Sequence, residues 1–318
     1  MEGRKPFQIV VAEPYATEAM ACLEKVGHVT ILENSAPDTL IPALRDADAL
    51  LVRARTHVTA RIIDAAPHLK VIGRASPTVD HIDLRATKKR AIRVVYAPHA
   101  AVLSSAEFTL GLILAAHRRI PFLDRQLREG NFEAIRHPAG HEISRQTIGL
   151  LGFDAVAEKL GCIISNAFGS RIIHHDPFGG KPTSFEADAV SLDDLLSNTD
   201  ILSIHLRMSE ETRGFMNADR IRRMKTSAVL INTSRGAIVD TKALAEALKK
   251  RFIAGAALDV FENEPLSVNH PLCQEPNCIL TPHVAGATLD ASARRFNVAE
   301  DVVRVLKGES PKYPFSRD

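Results

Sequence analysis

The sequence predicts an α/β fold made of two doubly wound parallel-sheet domains, one inserted into the other. Three observations carry this prediction. Short apolar, β-branched runs alternate with amphipathic stretches along the chain, the pattern of parallel strands joined by helical crossovers. The runs are mostly continuous, as expected for strands covered on both faces. At 318 residues the chain is also too long for one compact core, and a break at 96–100 (YAPHA) divides the runs into two sets.

In the first set, strands are predicted at 8–12, 49–52, 70–73 and 93–96, with helical patterns at 16–25 and 60–66. After the break, 101–119 is apolar around most of its circumference, so this helix should be buried on more than one side. The second set of strands is predicted at 147–151, 171–174, 201–205, 229–232, 254–259 and 278–280. An amphipathic helix at 292–307 follows the last strand and is expected to rejoin the first set. The simplest arrangement is a split domain of residues 1–98 and 286–318, with 99–285 as the inserted domain. Residues 308–318 read as a surface tail. There is no internal repeat and no low-complexity segment.

Composition narrows the function classes. A formal net charge of +2 gives no electrostatic case for nucleic acid or an acidic membrane. No apolar run is long enough to span a bilayer, and the N-terminus lacks the apolar stretch of a signal peptide, so a cytoplasmic location is expected. Four cysteines in a chain this long do not make a disulfide framework. His270, Cys273, Cys278 and His283 lack the tight spacing of a zinc site, so no metal is expected.

The strand at 147–151 runs into Gly152-Phe-Asp-Ala-Val-Ala157 and a helical pattern to about 167, and a second strand ends near Asp176. This is the layout of a dinucleotide-binding βαβ unit: a tight turn, a helix N-terminus for a pyrophosphate, and an acid for the ribose hydroxyls. The glycine pattern is damaged. Asp154 stands at the second glycine, adding a side chain and a negative charge where an anion should sit, and Ala157 at the third is a tolerated variant. Asp154 has an alternative use as a helix cap, and Arg207 is a candidate to neutralise it. Asp176 favours NAD, because a carboxylate repels the extra phosphate of NADP; its alternative use is a turn before Pro177.

Three further segments each follow a strand, where ligands of such sheets bind: Asn232-Thr-Ser-Arg235-Gly-Ala-Ile-Val-Asp240, Ala257-Leu-Asp259-Val-Phe-Glu-Asn-Glu264-Pro265 and Thr281-Pro-His283-Val-Ala-Gly-Ala-Thr288. Arginine clamps a carboxylate bidentately, and histidine exchanges a hydroxyl proton near neutral pH when a glutamate orients it. Taken singly, each is as readily a surface or capping residue. As a set they are what oxidising a 2-hydroxy acid requires.

Through NTSRGAIVD, GAALDVFENEPL and LTPHVAGAT, in that order, the chain resembles the D-isomer-specific 2-hydroxyacid dehydrogenases, and the resemblance covers nearly its whole length. It implies a Rossmann-type NAD domain inserted into a flavodoxin-like substrate domain, and a homodimer formed partly through the 101–119 region. It implies that Arg235 binds the substrate carboxylate, that His283 is the acid/base and that Glu264 is its partner. Cofactor contacts are implied for Gly152, Asp154, Ala155, Val156, Asp176, His205, Thr212, Thr233, Ser234, Asp259 and Gly286. Within the family, LLVRARTHVTARIIDAAPHLKVIGRA is most like phosphoglycerate dehydrogenases, which makes Arg53, Arg74, Ala75 and Ser76 substrate-binding candidates and 3-phosphoglycerate a candidate substrate. The two arginines are alternatively strand-end surface charges.

The chain departs from the family in both binding loops. A glycine-rich stretch after Arg74-Ala75 is replaced by Ser76-Pro77-Thr78, where proline removes an amide donor, and Arg207 stands where relatives commonly have proline. The expected function is NAD-dependent hydride transfer between a D-2-hydroxy acid and its 2-keto acid. The alternative is a non-catalytic descendant acting as a binding or regulatory protein.

Overall fold

A computed structural model describes residues 6–53, 56–136 and 140–315. The chain divides into two compact units, Met1–Ala101 with Thr288–Asp318, and Val102–Ala287. Elements are numbered along the chain.

In the first unit the strands β1 (Phe7–Val11), β2 (Gly27–Ile31), β3 (Ala49–Val52), β4 (Val71–Arg74) and β5 (Arg93–Tyr96) form one parallel sheet in the order β2-β1-β3-β4-β5. This is the flavodoxin-like order, whose direction reverses between β1 and β3. Every residue of β3 and β4 is buried, which explains their uninterrupted apolar reading. The sequence reading missed β2 because it is an edge strand with His28, Thr30 and Ile31 exposed, and so lacks the apolar run.

The single helix expected at 292–307 is two helices, α12 (Leu289–Arg295) and α13 (Val298–Leu306), joined through Phe296 and Asn297, which keep helical backbone angles. Val298, Val302 and Leu306 lie on one face of α13, and the helix packs against β4 and α1 (Thr17–Glu24). The expected tail does lie at the surface, with most of 308–315 exposed, but it is tied down. Buried Asp301 accepts from the backbone N–H groups of Lys312 (2.7 Å) and Tyr313 (2.8 Å). The segment then pairs antiparallel with β5 through Val95 and Pro314, and Phe315 N–H donates to Val94 O. Residues 316–318 of that reading lie outside the described residues.

In the second unit the strands β6 (Thr147–Leu151), β7 (Arg171–His175), β8 (Asp188–Ala189), β9 (Ile201–Ile204), β10 (Val229–Asn232), β11 (Gly255–Leu258) and β12 (Cys278–Leu280) form a parallel sheet. Its order is β12-β11-β10-β9-β6-β7-β8. Direction reverses between β6 and β9, so the crevice beyond their carboxyl ends is where this architecture binds a ligand. The apolar helix at 101–119 is α5 (Val102–His117), packed against α8 (Ala155–Phe168) and across β10 and β11, which accounts for its broad apolar surface. No helix among the described residues is long and apolar enough to cross a membrane.

Candidate active site

The carboxyl ends of β10, β11 and β12 bring the catalytic candidates of the second unit together. At the end of β10, Asn232 is fully buried and folds the turn around its side-chain amide. Its Oδ1 accepts from Ser234 N–H (3.1 Å) and Ser234 Oγ–H (2.9 Å), and its Nδ2 donates to Arg235 O (3.0 Å). Arg235 is thereby held at an exposed position, its Nη1 donating to Ser234 O at 2.8 Å. Thr233 is tied from the other side by a 2.7 Å hydroxyl pair with Thr109 of α5. Thr109 was not singled out in the sequence, because the contact spans 124 positions and leaves no local signal.

Gly236 lies so close to the Phe261 backbone that a Cβ would collide with it, so the Arg235 turn packs directly on the loop after β11. In that loop Phe261 N–H donates to Glu264 Oε1 (3.0 Å), leaving Glu264 Oε2 for His283 Nδ1 at 2.8 Å. One carboxylate oxygen therefore holds the loop and the other orients the imidazole. The His283 side chain is 56% exposed, which leaves the ring accessible for proton exchange. A mostly apolar cavity of about 410 Å³ opens beside the pair, between Phe261, Pro265, Leu266, Leu280 and Pro282.

His283 is one of four non-glycine residues with positive φ among those described (φ 55°). Histidine tolerates that region better than most residues, but holding it there costs about 1 kcal/mol or more and requires support from its surroundings. Asp259 supplies the support. It is fully buried and accepts from Thr281 Oγ–H (2.6 Å), Val284 N–H (3.0 Å) and Ala285 N–H (2.8 Å), so it pins the chain on both sides of His283. The sequence implies only a cofactor contact for Asp259; the structure adds this anchoring role. Gly286 follows in the same loop. His270 caps a short 3₁₀ turn through Leu272 N–H instead of joining a ligand cluster.

The dinucleotide turn lies at the β6–β9 reversal. Gly152 has φ 83°, and a Cβ there would collide with the backbone of His205 and Leu206, so this glycine is required on both counts. The cradle fits a dinucleotide at this point. The next position does not match the bare backbone of the usual motif. Asp154 is the N-cap of α8, its Oδ1 accepting from Val156 N–H and Ala157 N–H at 2.9 Å each, with Ala155 opening the helix between them. The helix amides that serve a pyrophosphate in such folds are already engaged by the chain's own carboxylate.

Arg207 does not neutralise Asp154; its guanidinium lies over the Phe178 ring at 5.1 Å. The side chain that stands against Asp154 is His205, 2% exposed, with Nδ1 3.6 Å from Asp154 Oδ1 and Nε2 paired with Ser203 Oγ at 2.8 Å. Burial pushes the Asp154 pKa up, but His205 and the two helix amides outweigh it, holding the carboxyl below its ordinary range. Asp176 follows β7, and its two oxygens accept from Phe178 N–H (3.0 Å) and Gly180 N–H (2.9 Å), fixing the turn that contains Pro177. Thr212 is buried, and its hydroxyl donates to Arg207 O (2.7 Å), shaping the loop after β9.

The remaining candidates belong to the first unit. Arg53 is half-exposed, with Nε 4.0 Å from Glu13 Oε2; Glu13 Oε1 accepts from Thr56 Oγ–H at 2.6 Å. Arg74 is only 1% exposed, its Nη1 donating to Thr56 O at 3.3 Å, and burial lowers its pKa. The alternative reading of the two arginines as strand-end surface charges therefore fails for Arg74. Ala75 and Ser76 are also buried: Ala75 N–H donates to Val52 O, and Ser76 N–H to Arg74 O. Thr78 N–H turns back on Ser76 Oγ at 3.4 Å. The Ser76-Pro77-Thr78 loop thus spends on itself two amides that a glycine-rich loop would present to an anion.

Comparison with known proteins agrees with this geometry. Residues 110–285 match the family model described as D-isomer specific 2-hydroxyacid dehydrogenase, NAD binding domain. A glyoxylate reductase of Thermofilum pendens is 40% identical over 309 residues, covering 95% of this chain and 91% of the relative. A D-3-phosphoglycerate dehydrogenase of Methanocaldococcus jannaschii is 38% identical over 306 residues and 95% of this chain, which spans 58% of that longer relative. Among solved structures, the TT0316 protein of Thermus thermophilus has a TM-score of 0.84 at 32% identity, covering 97% of this chain and 99% of that one. An NADPH-dependent glyoxylate/hydroxypyruvate reductase of Sinorhizobium meliloti, solved with NADP and malonate, has a TM-score of 0.81 at 25% identity, covering 98% of this chain and 97% of that one. Nothing in these likenesses favours a non-catalytic descendant. The chain belongs to the D-isomer specific 2-hydroxyacid dehydrogenase family and is an oxidoreductase with a nicotinamide-dinucleotide-binding domain.

Proposed function

We propose that the chain reduces small, unphosphorylated 2-keto acids to D-2-hydroxy acids, and runs the reverse oxidation, with NAD as its dinucleotide. The observation that carries this reading is the 2.8 Å His283–Glu264 pair, set in a loop system that packs on the Arg235 turn through Gly236. The dinucleotide would be held by Gly152, the first turn of α8, Asp176, the His205–Thr212 loop, Thr233, Ser234, Asp259 and Gly286, and supplies the hydride when bound. Arg235 binds the substrate carboxylate through its fork of N–H donors and withdraws charge from the neighbouring carbonyl. His283 delivers the proton to the carbonyl oxygen in reduction and removes it from the hydroxyl in oxidation, with Glu264 stabilising the protonated ring and fixing which nitrogen faces the substrate.

NAD is preferred over NADP because Asp176 presents a carboxylate at the end of β7, where it repels a 2′-phosphate. An unphosphorylated substrate is preferred because Arg74 is buried and Glu13, beside Arg53, offsets part of the charge that would attract a phosphate tail. Exposed apolar side chains at Ile120 and Leu127 on α6 (Ile120–Arg128), next to α5, support assembly as a homodimer through this region. Cytoplasmic residence fits an enzyme that draws on a diffusible dinucleotide.

Steady-state kinetics with glyoxylate, hydroxypyruvate and 3-phosphohydroxypyruvate, each with NADH and NADPH, test this reading. The expected result is a higher kcat/KM for the two unphosphorylated acids, and for NADH. A clear gain with the phosphorylated acid would overturn the substrate assignment and return Arg53 and Arg74 to phosphate binding.

A further inference from the structure

We infer that binding of the dinucleotide draws a proton onto the Asp154–His205 pair, so that cofactor affinity falls as pH rises. The inference rests on the dehydrogenase reading and concerns Asp154, which stands where bare glycine backbone is the usual arrangement, and the His205 beside it.

Its starting point is geometric. Asp154 Oδ1 occupies the N–H groups of Val156 and Ala157, the place and the donors that an incoming pyrophosphate requires. For the anion to take those amides, the carboxylate must give them up. It then loses two hydrogen bonds that stabilise its charge and gains a doubly charged neighbour; both changes favour the protonated acid. The same anion favours the protonated ring of His205, which is buried, 3.6 Å from Asp154 and held by Ser203 at its far nitrogen. One proton shared by the pair offsets the added negative charge with no movement of the fold.

Other titratable and charged groups stand on the neighbouring elements. On α8, Glu158 accepts from Thr183 and Ser184; on β7 and the turn after it, His174 packs its ring on Phe153 with its buried Nδ1 unbonded, His175 Nδ1 meets Val190 O, and Asp176 accepts from its own loop. Arg207, on the loop that follows His205, lies over Phe178. Among the described residues none of these side chains bonds to the Asp154 or His205 side chain, so the pair is the titratable group in direct contact with the helix amides.

The proton balance is simple. The dinucleotide and one proton from solvent enter together, and both leave together. Affinity is therefore highest at low pH and declines by up to about tenfold per pH unit above the point where the free pair no longer carries the proton.

Calorimetric titration of NADH into the full chain, at one pH in buffers of differing ionisation heat, counts the proton directly. Repeating it across pH gives the slope. Uptake approaching one proton and a falling affinity are expected for the native protein. Asp154→Asn keeps a capping acceptor but no charge, and should bind NADH at least about tenfold more tightly with less uptake. Asp154→Gly should shift affinity in the same direction. Asp154→Asn combined with His205→Gln should lose both the uptake and the slope, with circular dichroism confirming the fold.

Measurable NADH binding without proton uptake in the native protein, or an unchanged slope in the double variant, would overturn the inference and leave the dehydrogenase reading standing. Absence of NADH binding by both the native protein and folded Asp154→Asn would overturn both.

Discussion

The two loop systems of the dinucleotide-binding unit solve opposite problems. At the ends of β10 to β12, buried Asn232 and Asp259 absorb the backbone donors, so that Arg235 and His283 reach solvent, oriented at Nη1 by Ser234 O and at Nδ1 by Glu264. At the end of β6, the group that absorbs the backbone donors is Asp154, which stands in the ligand's own place. The first arrangement prepares a site by satisfying everything around it. The second satisfies the site itself, so that ligand and protein compete for the same amides. The lesson is that a carboxylate beside a functional loop supports it when buried behind the reacting group and opposes it when placed in front.

The largest effect that sharpens this contrast is at the proton-transfer residue. His283→Ala should lower turnover by roughly 100-fold or more, as for loss of a general acid/base, with little change in NADH affinity. Turnover and calorimetry on the same preparation check this. Unchanged turnover on any accepted 2-keto acid would break the comparison, because the prepared loop would then be preparing something else.

Asp259→Asn tests support from behind. The amide retains one acceptor oxygen but replaces the other with a donor, which faces the N–H of Ala285 or Val284. Leaving buried donors unpaired costs about 1–3 kcal/mol, and His283, already at positive φ, has the least reason to remain in place. The expected outcome is a kcat loss of about 10-fold or more accompanied by a lower melting temperature. A full kcat with a lowered melting temperature would show that Asp259 stabilises the loop without positioning the histidine.

How much of this could be read from the chain depended on the sequence distance of each contact. Arg235, Glu264 and His283 each follow a short strand, buried in the first two cases and half-buried in the third, so pattern and position were enough to nominate them. The cap at Asp154 was readable because it is local, its partners lying two and three residues away. What escaped was non-local or unpatterned. The anchoring by Asp259 reaches 22 to 26 positions ahead, and the Thr109–Thr233 pair spans 124. His205 was overlooked as Asp154's partner in favour of Arg207, since only the register of β9 beside β6 reveals which of the two side chains points inward. The buried Arg74 misled for a related reason: a strand-end arginine reads as exposed until the loop that covers it is known.

The smallest expected effect concerns Asp154 in the free protein, where the contrast can be seen without any ligand. Its carboxyl pKa is depressed in the folded state, because His205 and the helix amides outweigh its burial. A depressed carboxylate contributes stability that is fully present above its unfolded value of about 3.9 and is lost as pH falls through the lower folded value. The side chain is 41% exposed, so solvent screening keeps the contribution below about 1 kcal/mol. Asn also caps helices well, so Asp154→Asn isolates the charge from the cap. Native protein should therefore melt about 1–2 °C above Asp154→Asn near pH 6, and the difference should vanish by about pH 2. Thermal melts followed by circular dichroism at both pH values decide the matter. A gap that persists in acid would mean that the shape of the side chain, and not its charge, holds the start of α8, and Asp154 would then be no different in kind from Asn232.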